Sequence, residues 1–286
     1  MINGHTRVCG LIGNPVEHTS SPAIHNTLAA HYGHNLVYVP FKVENDKVDE
    51  AVKGAYELNI LGMNVTVPHK MSVMNSIVEI DELAKRIGAV NTLVRTGNGF
   101  KGYNTDILGL ERALLVEGAE IENKTVVVLG AGGAARSAVY LCERMKAAKV
   151  YVLNRSLDKA QNLADEVNSF AGKNLVVPYT ISEYGRIEEK EYVAIQATSV
   201  GLSPNDEDVV ISDGAFYDKV TVGFDLVYRP AVTKFMKLVD EHGGKSANGL
   251  KMLLYQGIIA YELWNDIEVD EDVAMKVLEV LEETIR

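Results

Sequence analysis

The chain has 286 residues, 47% of them hydrophobic and 23% charged, which suits a soluble protein with a real core in one large or two smaller domains. A net charge of −11 and a pI of about 5.2 argue against a nucleic-acid backbone as the main partner, and leave room for a small anion in a local basic pocket. No apolar run reaches the roughly 18 residues a membrane span needs, and Met1 to Gly10 lacks the apolar centre of a signal peptide.

Val8 to Gly13 reads as a buried strand ending at Gly13-Asn14-Pro15. His18-Thr19-Ser20-Ser21-Pro22 then leads into a helix through Ile24, Leu28 and Ala29, with one hydroxyl expected to cap it and the others to decorate a turn. A strand at Leu36 to Phe41 precedes an acidic, amphipathic helix from Glu44 to Leu58. Asn64 to Val67 alternates polar and β-branched residues as a short strand, and Pro68 suits the first turn of a helix over Met71 to Val78. Lys70 is therefore expected just past a strand's carboxyl end, at a helix opening whose partial positive charge lowers a lysine's pKa. Helix Ile77 to Arg86, a hairpin turning at Gly97-Asn98-Gly99, and Gly102-Tyr103-Asn104-Thr105-Asp106 complete a first α/β unit.

Helix Ile107 to Glu117 bridges to a second unit. Lys124 to Leu129 is a continuous apolar strand of the kind buried on both faces, followed by Gly130-Ala131-Gly132-Gly133-Ala134-Ala135-Arg136 and an Ala-rich helix to about Lys146. Further strands are expected at Lys149 to Leu153, Leu175 to Val177, Val193 to Ala197 and Val220 to Asp225. Two tail helices follow, about Leu250 to Trp264 and Glu271 to Thr284, the second with an apolar stripe.

The most specific local signal is the strand, glycine turn and helix at Val126 to Leu141, which fits G-x-G-x-x-[GA]. Gly130 makes the tight turn, Gly132 lets backbone approach a pyrophosphate, and Ala135 permits close helix packing, while free N–H groups at the helix amino end hold phosphate. An NAD-specific domain usually offers an acidic residue at the end of the next strand; here that place has Asn154-Arg155-Ser156, then Lys159. An arginine suits a ribose 2′-phosphate, which favours NADP with NAD as the alternative. Asp158 either favours the helix amino end or repels that phosphate. With a nucleotide domain in place, the first half needs a substrate site, and its strand-end motifs contain Lys70 and Asp106. A lysine–carboxylate pair can pass a proton to or from an alcohol oxygen while hydride leaves or joins its carbon. Cys9, Cys142 and the scattered histidines have no metal-ligand spacing, so no metal is expected, and unpaired cysteines point to a reduced cytoplasmic home.

Several of these motifs occur together and in an order that resembles the shikimate/quinate dehydrogenase family over nearly the whole chain. They are Gly13-Asn14-Pro15-Val16, His18 to Pro22, Asn64 to Lys70, Gly88 to Thr92, Gly102 to Asp106, the glycine turn, Asn154-Arg155-Ser156, Ala197-Thr198-Ser199-Val200-Gly201, Asp225-Leu226-Val227-Tyr228 and Leu253 to Gly257. The resemblance implies an α/β protein with a substrate-binding, catalytic domain over 1–105 and 249–286 and a Rossmann-type, doubly wound NADP domain over 106–248. It implies reversible NADPH-dependent reduction of 3-dehydroshikimate to shikimate in aromatic amino-acid (chorismate) biosynthesis, by a monomer or homodimer. Lys70 and Asp106 correspond to the catalytic pair. Thr19, Ser21, Asn64, Thr66, Asn91 and Gln256 correspond to groups that hold the substrate, with Tyr228 beside it. Gly130, Ala131, Gly132, Gly133, Ala134, Asn154, Arg155, Ser156, Lys159, Thr198 and Gly249 correspond to the cofactor contacts. Thr19 stands where most members have Ser, Gln196 where Asn is usual, and Ser156 where Thr is usual. Rival readings are a quinate/shikimate dehydrogenase with broader substrate and NAD use, and a non-catalytic NADP-sensing protein. Another two-domain NADP enzyme, such as a folate dehydrogenase, would not need the hydroxyl-rich loop at Thr19 to Ser21.

Overall fold

Short β-branched runs and glycine turns build two six-stranded sheets, one in each of two units of the chain. The computed structural model describes residues 2–285. One unit is Met1–Gly109 with Leu253–Arg286 and the other is Leu110–Met252. The first contains β1 (Arg7–Gly13), α1 (Ser21–His31), β2 (Leu36–Lys42), α2 (Val48–Glu57), β3 (Gly62–Val65), β4 (Glu79–Ile80), α3 (Glu82–Ile87), β5 (Thr92–Thr96) and β6 (Gly99–Tyr103). Its strand order is β2-β1-β3-β5-β6-β4, with β1 parallel to both neighbours and β5 antiparallel to β3 and β6. Ile12, Met63, Val65, Val90, Leu93 and Phe100 form its buried core against α2.

Two helices span the boundary between units in sequence, α4 (Thr105–Val116) and α9 (Leu250–Asn265). Trp264, near the end of α9, donates its indole N–H to the Leu93 carbonyl at 2.9 Å. Its ring fills the space beside Gly62, where any Cβ would collide with it. The last helix, α10 (Glu271–Ile285), packs on α1 with buried Val273, Val277 and Leu281.

The second unit continues with β7 (Thr125–Leu129), α5 (Gly133–Arg144), β8 (Lys149–Asn154), α6 (Leu157–Ala171), β9 (Val176–Thr180), β10 (Tyr192–Gln196), α7 (Gly214–Tyr217), β11 (Val220–Asp225), α8 (Lys234–Glu241) and β12 (Lys245–Asn248). All its pairings are parallel, in the order β12-β11-β10-β7-β8-β9. Val126 to Leu129 are fully buried, as a central parallel strand requires. The order reverses between β7 and β10, so the crevice at their carboxyl ends is the switch point of a Rossmann-like sheet.

Three local expectations need correction. No α-helix follows Pro68; turns lead to a single 3₁₀ turn at Ser72–Asn75. The Lys70 carbonyl accepts from the Val90 N–H at 2.8 Å, so it is diverted from the i→i+4 ladder, and the Met74 N–H turns to Met71 instead. The helix expected over Ile77 to Arg86 begins only at Glu82, because Glu79 and Ile80 pair with β6 and Asp81 caps α3 by accepting from the Leu83 N–H. The residue at the N-cap of α1 does not cap it: the Ser20 side chain makes no cap bond, and it is the Thr19 hydroxyl that accepts from the Ser21 N–H at 3.3 Å and lies 3.2 Å from Ser21 Oγ. Strand β12 is too short to carry a clear pattern in the sequence, whereas α8 is amphipathic, with Phe235, Met236 and Val239 buried and Thr233 capping it by accepting from the Met236 N–H.

Candidate active site

In the first unit the turn after β3 and the start of α4 bring two charges together. Lys70 Nζ lies 2.7 Å from Asp106 Oδ2, with side chains 31% and 21% exposed. The pair is thus partly shielded yet reachable by a small substrate. Asp106 occupies the first turn of α4, whose amino end is held on both sides. Asn104 Oδ1 accepts from the Ile107 N–H at 3.2 Å, and Asn91 Oδ1 accepts from the Thr105 N–H at 2.7 Å. On the other side, the Val90 N–H to Lys70 carbonyl bond ties the lysine's backbone to the segment that leads through Asn91 into β5.

A buried polar chain runs beneath the pair. The Tyr38 hydroxyl donates to Asn64 Oδ1 at 2.8 Å, and Asn64 Nδ2 donates to Thr92 Oγ1 at 3.1 Å. Thr92 and Thr105 share a hydroxyl contact at 3.0 Å, and Asn91 Nδ2 donates to Thr105 Oγ1 at 3.1 Å. Burial pushes the Tyr38 hydroxyl well above its ordinary pKa, with the Ser21 hydroxyl opposing, so Tyr38 acts as a donor. His25 stacks on Tyr38 with centroids 4.2 Å apart, and burial pushes its pKa down to about 3, leaving a neutral ring. Thr66 is half-buried, its methyl group against Gly13 at the end of β1. Gln256, on α9, turns its amide back to the Leu253 carbonyl at 2.8 Å. Asn64 and Asn91 thus belong to one network with Thr92 and Thr105, Thr19 and Ser21 to one turn, while Thr66 and Gln256 are separate.

In the second unit the glycine turn is as tight as its sequence demands. Gly130 has φ +113°, and a Cβ there would meet Thr198 Cγ2 at 2.9 Å and the Ala197 carbonyl at 3.1 Å. Over Gly132 and Gly133, by contrast, a Cβ would meet nothing within 4 Å. Gly132 is the N-cap of α5 and has no side chain to occupy the first-turn N–H groups. Gly132, Gly133, Ala134, Thr198 and Tyr228 line a cavity of about 470 Å³. A phosphate-bearing cofactor fits that combination of open space, free amides and helix dipole. Gly249 is required for a second reason: a Cβ would strike the Leu226 carbonyl, part of the same wall. Beyond β8, Arg155, Ser156, Asp158 and Lys159 are all exposed, and the Ser156 hydroxyl makes no cap bond to α6. Asp158 stands in the first turn of α6, where the dipole favours it. Among the described residues no three His, Cys, Asp or Glu side chains are grouped to hold a metal, and no helix is long and apolar enough to cross a membrane. Cys9 and Cys142 are buried thiols, each pushed by burial to about 12.

Three family models match the chain: the shikimate dehydrogenase substrate binding domain over residues 11–93, the shikimate / quinate 5-dehydrogenase over 113–202, and the shikimate 5′-dehydrogenase C-terminal domain over 249–279. A shikimate dehydrogenase (NADP(+)) of Desulforamulus reducens is 39% identical over 279 residues, spanning 97% of this chain and 96% of the relative. The chain belongs to the shikimate dehydrogenase family. Its fold is similar to a crystal structure of shikimate dehydrogenase in complex with NADP+, at 34% identity and TM-score 0.89 over 100% of this chain and 98% of that one. It is also similar to shikimate 5-dehydrogenase from Listeria monocytogenes in complex with shikimate and NAD, at 28% identity and TM-score 0.89 over 97% and 98%. In this shikimate dehydrogenase family member, Tyr38, Thr92 and Thr105 are polar residues of the first-unit network with no role assigned from sequence. Thr92 and Thr105 lie inside recognisable motifs, whereas Tyr38 has no signal beyond strand alternation.

Proposed function

We propose that this chain is an NADP-dependent shikimate dehydrogenase that interconverts 3-dehydroshikimate and shikimate in aromatic amino-acid biosynthesis. The observation that carries the reading is the Lys70–Asp106 pair at 2.7 Å, present in a chain that is full-length similar to NADP-dependent shikimate dehydrogenases. The first unit, which carries both Lys70 and Asp106, serves as the substrate domain, and the second as the nucleotide domain. NADPH, when bound, supplies the hydride. The Lys70 ammonium donates a proton to the substrate's carbonyl oxygen as it becomes a hydroxyl, Asp106 accepts from that ammonium and holds it in place, and the amine left behind regains its proton from solvent. Thr19, Ser21, Asn64, Thr66, Asn91 and Gln256 offer the carboxylate and hydroxyls of a small polyol acid convergent hydrogen bonds, with Tyr228 alongside. Leaving such groups unpaired is what rejects a poorer analogue. Because Oδ1 of Asn64 accepts from Tyr38 while Nδ2 donates to Thr92 Oγ1 and, at 3.4 Å, to the Asn91 carbonyl, Asn64 has only acceptor capacity to spare on Oδ1. The first-turn amides at Gly132 to Ala134 hold the pyrophosphate side, with Gly130 and Ala131 shaping the turn and Thr198 forming the facing wall, because the Gly130 N–H is taken by the Leu153 carbonyl and the Thr198 N–H by Gln196. Asn154, Arg155, Ser156 and Lys159 hold the ribose phosphate, and Gly249 the nicotinamide side. The enzyme works in the cytoplasm as a monomer or homodimer.

The test is stoichiometric. With 3-dehydroshikimate present, NADPH is expected to be consumed mole for mole with shikimate formed; binding of NADP+ without turnover would instead support the sensor reading.

A further inference from the structure

Gln196 and Asp225 end adjacent parallel strands, β10 and β11, and are direct partners in their register. They are 1% and 0% exposed, and neither has a part in the proton transfer or in the contacts assigned above. Their polar atoms are committed to the two loops that follow. Gln196 Oε1 accepts from both the N–H and the hydroxyl of Thr198, each at 2.7 Å. Its Nε2 donates to the Val200 carbonyl at 3.0 Å and to Asp225 Oδ1 at 3.4 Å. Asp225 Oδ1 also accepts from the Val227 N–H at 2.9 Å, and Oδ2 accepts from the Thr233 hydroxyl at 2.6 Å. Thr233 in turn caps α8 by accepting from the Met236 N–H at 3.3 Å. Thr198 and Ser199 on one loop, and Leu226 to Tyr228 on the other, face the same cavity.

We infer that Gln196 and Asp225 form a buried lock that positions the two walls of the cofactor cavity, Gln196 holding Thr198 and Asp225 holding Val227 and Tyr228. The inference rests on the reading of that cavity as the NADP site. A buried carboxylate is tolerated only when donors surround it, and here two of its donors, Val227 and Thr233, come from the same wall loop. The side chain of Gln196 is long enough to fold back on the Thr198 amide while its amino group still meets Asp225. Removing either residue therefore releases a specific loop and leaves the strand ladder itself intact.

The experiment compares wild type, Gln196→Met and Asp225→Asn by calorimetric titration with NADP+, by steady-state oxidation of shikimate at saturating NADP+, and by Tm. Methionine keeps the length and apolar bulk of Gln196 and loses both hydrogen-bonding ends. Gln196→Met is expected to raise the Kd for NADP+ about tenfold, the equivalent of one net hydrogen bond, with the KM for shikimate within about twofold of wild type. Asp225→Asn is expected to raise both constants, since it frees the loop of Tyr228. A folded Gln196→Met protein with a lowered Tm and an unchanged Kd for NADP+ overturns the inference, because a purely structural role moves only the Tm. If Gln196→Met does not fold, Thr233→Val, which removes one Asp225 partner, decides the matter: a raised KM for shikimate supports the lock and an unchanged one overturns it. Failure of the wild-type chain to bind NADP+ is a separate result, overturning the cofactor reading and the inference with it.

Discussion

Lys70 acquires its setting from tertiary contacts and not from a helix. Its carbonyl is taken by Val90 and its ammonium by Asp106, and no α-helix opens at the lysine. What the sequence made legible was the residue, because a lysine past a strand's end and an aspartate opening α4 both lie in strand-end motifs. Illegible was the chain from Tyr38 to Thr105, since its members meet only when β2, β3, β5 and α4 are assembled. Lys70→Ala is predicted to lose at least about two orders of magnitude in kcat while the Kd for NADP+ barely changes, as expected for a positioned acid/base. A variant with near-normal turnover would contradict the role. Asp225 gives a pH prediction. Burial raises its carboxyl to about 6, against the stabilising bonds from Thr233 and Val227. A folded-state pKa above the unfolded value means the group's contribution is complete below about pH 4 and is lost as pH rises through about 6. The Tm of Asp225→Asn is therefore predicted to improve relative to wild type between about pH 4 and pH 7; a pH-independent difference would contradict the assignment.

At the scale of elements, strong periodicity was readable and tertiary pairing was not. β7, α5, β8 and β11 follow from apolar runs and the glycine turn, whereas Glu79 and Ile80 look helical until β6 is present to pair with them. Asp81 was the available signal for the true start of α3, as its carboxylate accepts from the Leu83 N–H at 2.9 Å. Asp81→Ala is predicted to cost about 1 kcal/mol of stability, the usual worth of an N-cap, measured by denaturant midpoint. Gly62 is an element-scale constraint of another kind, since β3 lies directly under the Trp264 indole. Gly62→Ala is predicted to destabilise the fold by about 1–3 kcal/mol through overpacking, and an unchanged Tm would show that the indole can move.

At the scale of the molecule, each unit presents what half of a dehydrogenase needs: a shielded lysine–aspartate pair in one, and an open, glycine-lined helix amino end in the other. Two sheets of different pairing were foreseeable from hairpin signals in the first hundred residues and from continuous apolar strands afterwards. The proposed site assigns cofactor selectivity to Arg155 and Lys159, which are exposed, with Asp158 beside them on α6. Arg155→Ala is predicted to raise the KM for NADP+ by about tenfold to a hundredfold and to leave that for NAD+ nearly unchanged, the loss of a charge-assisted bond worth about 1.5–3 kcal/mol. The proposed substrate site includes the hydroxyl-rich turn, where the Thr19 hydroxyl lies 3.2 Å from Ser21 Oγ. Both choices are read at once by kcat/KM for shikimate and quinate, each with NADP+ and with NAD+. The highest value is predicted for shikimate with NADP+; a higher value for quinate with NAD+ would contradict the account.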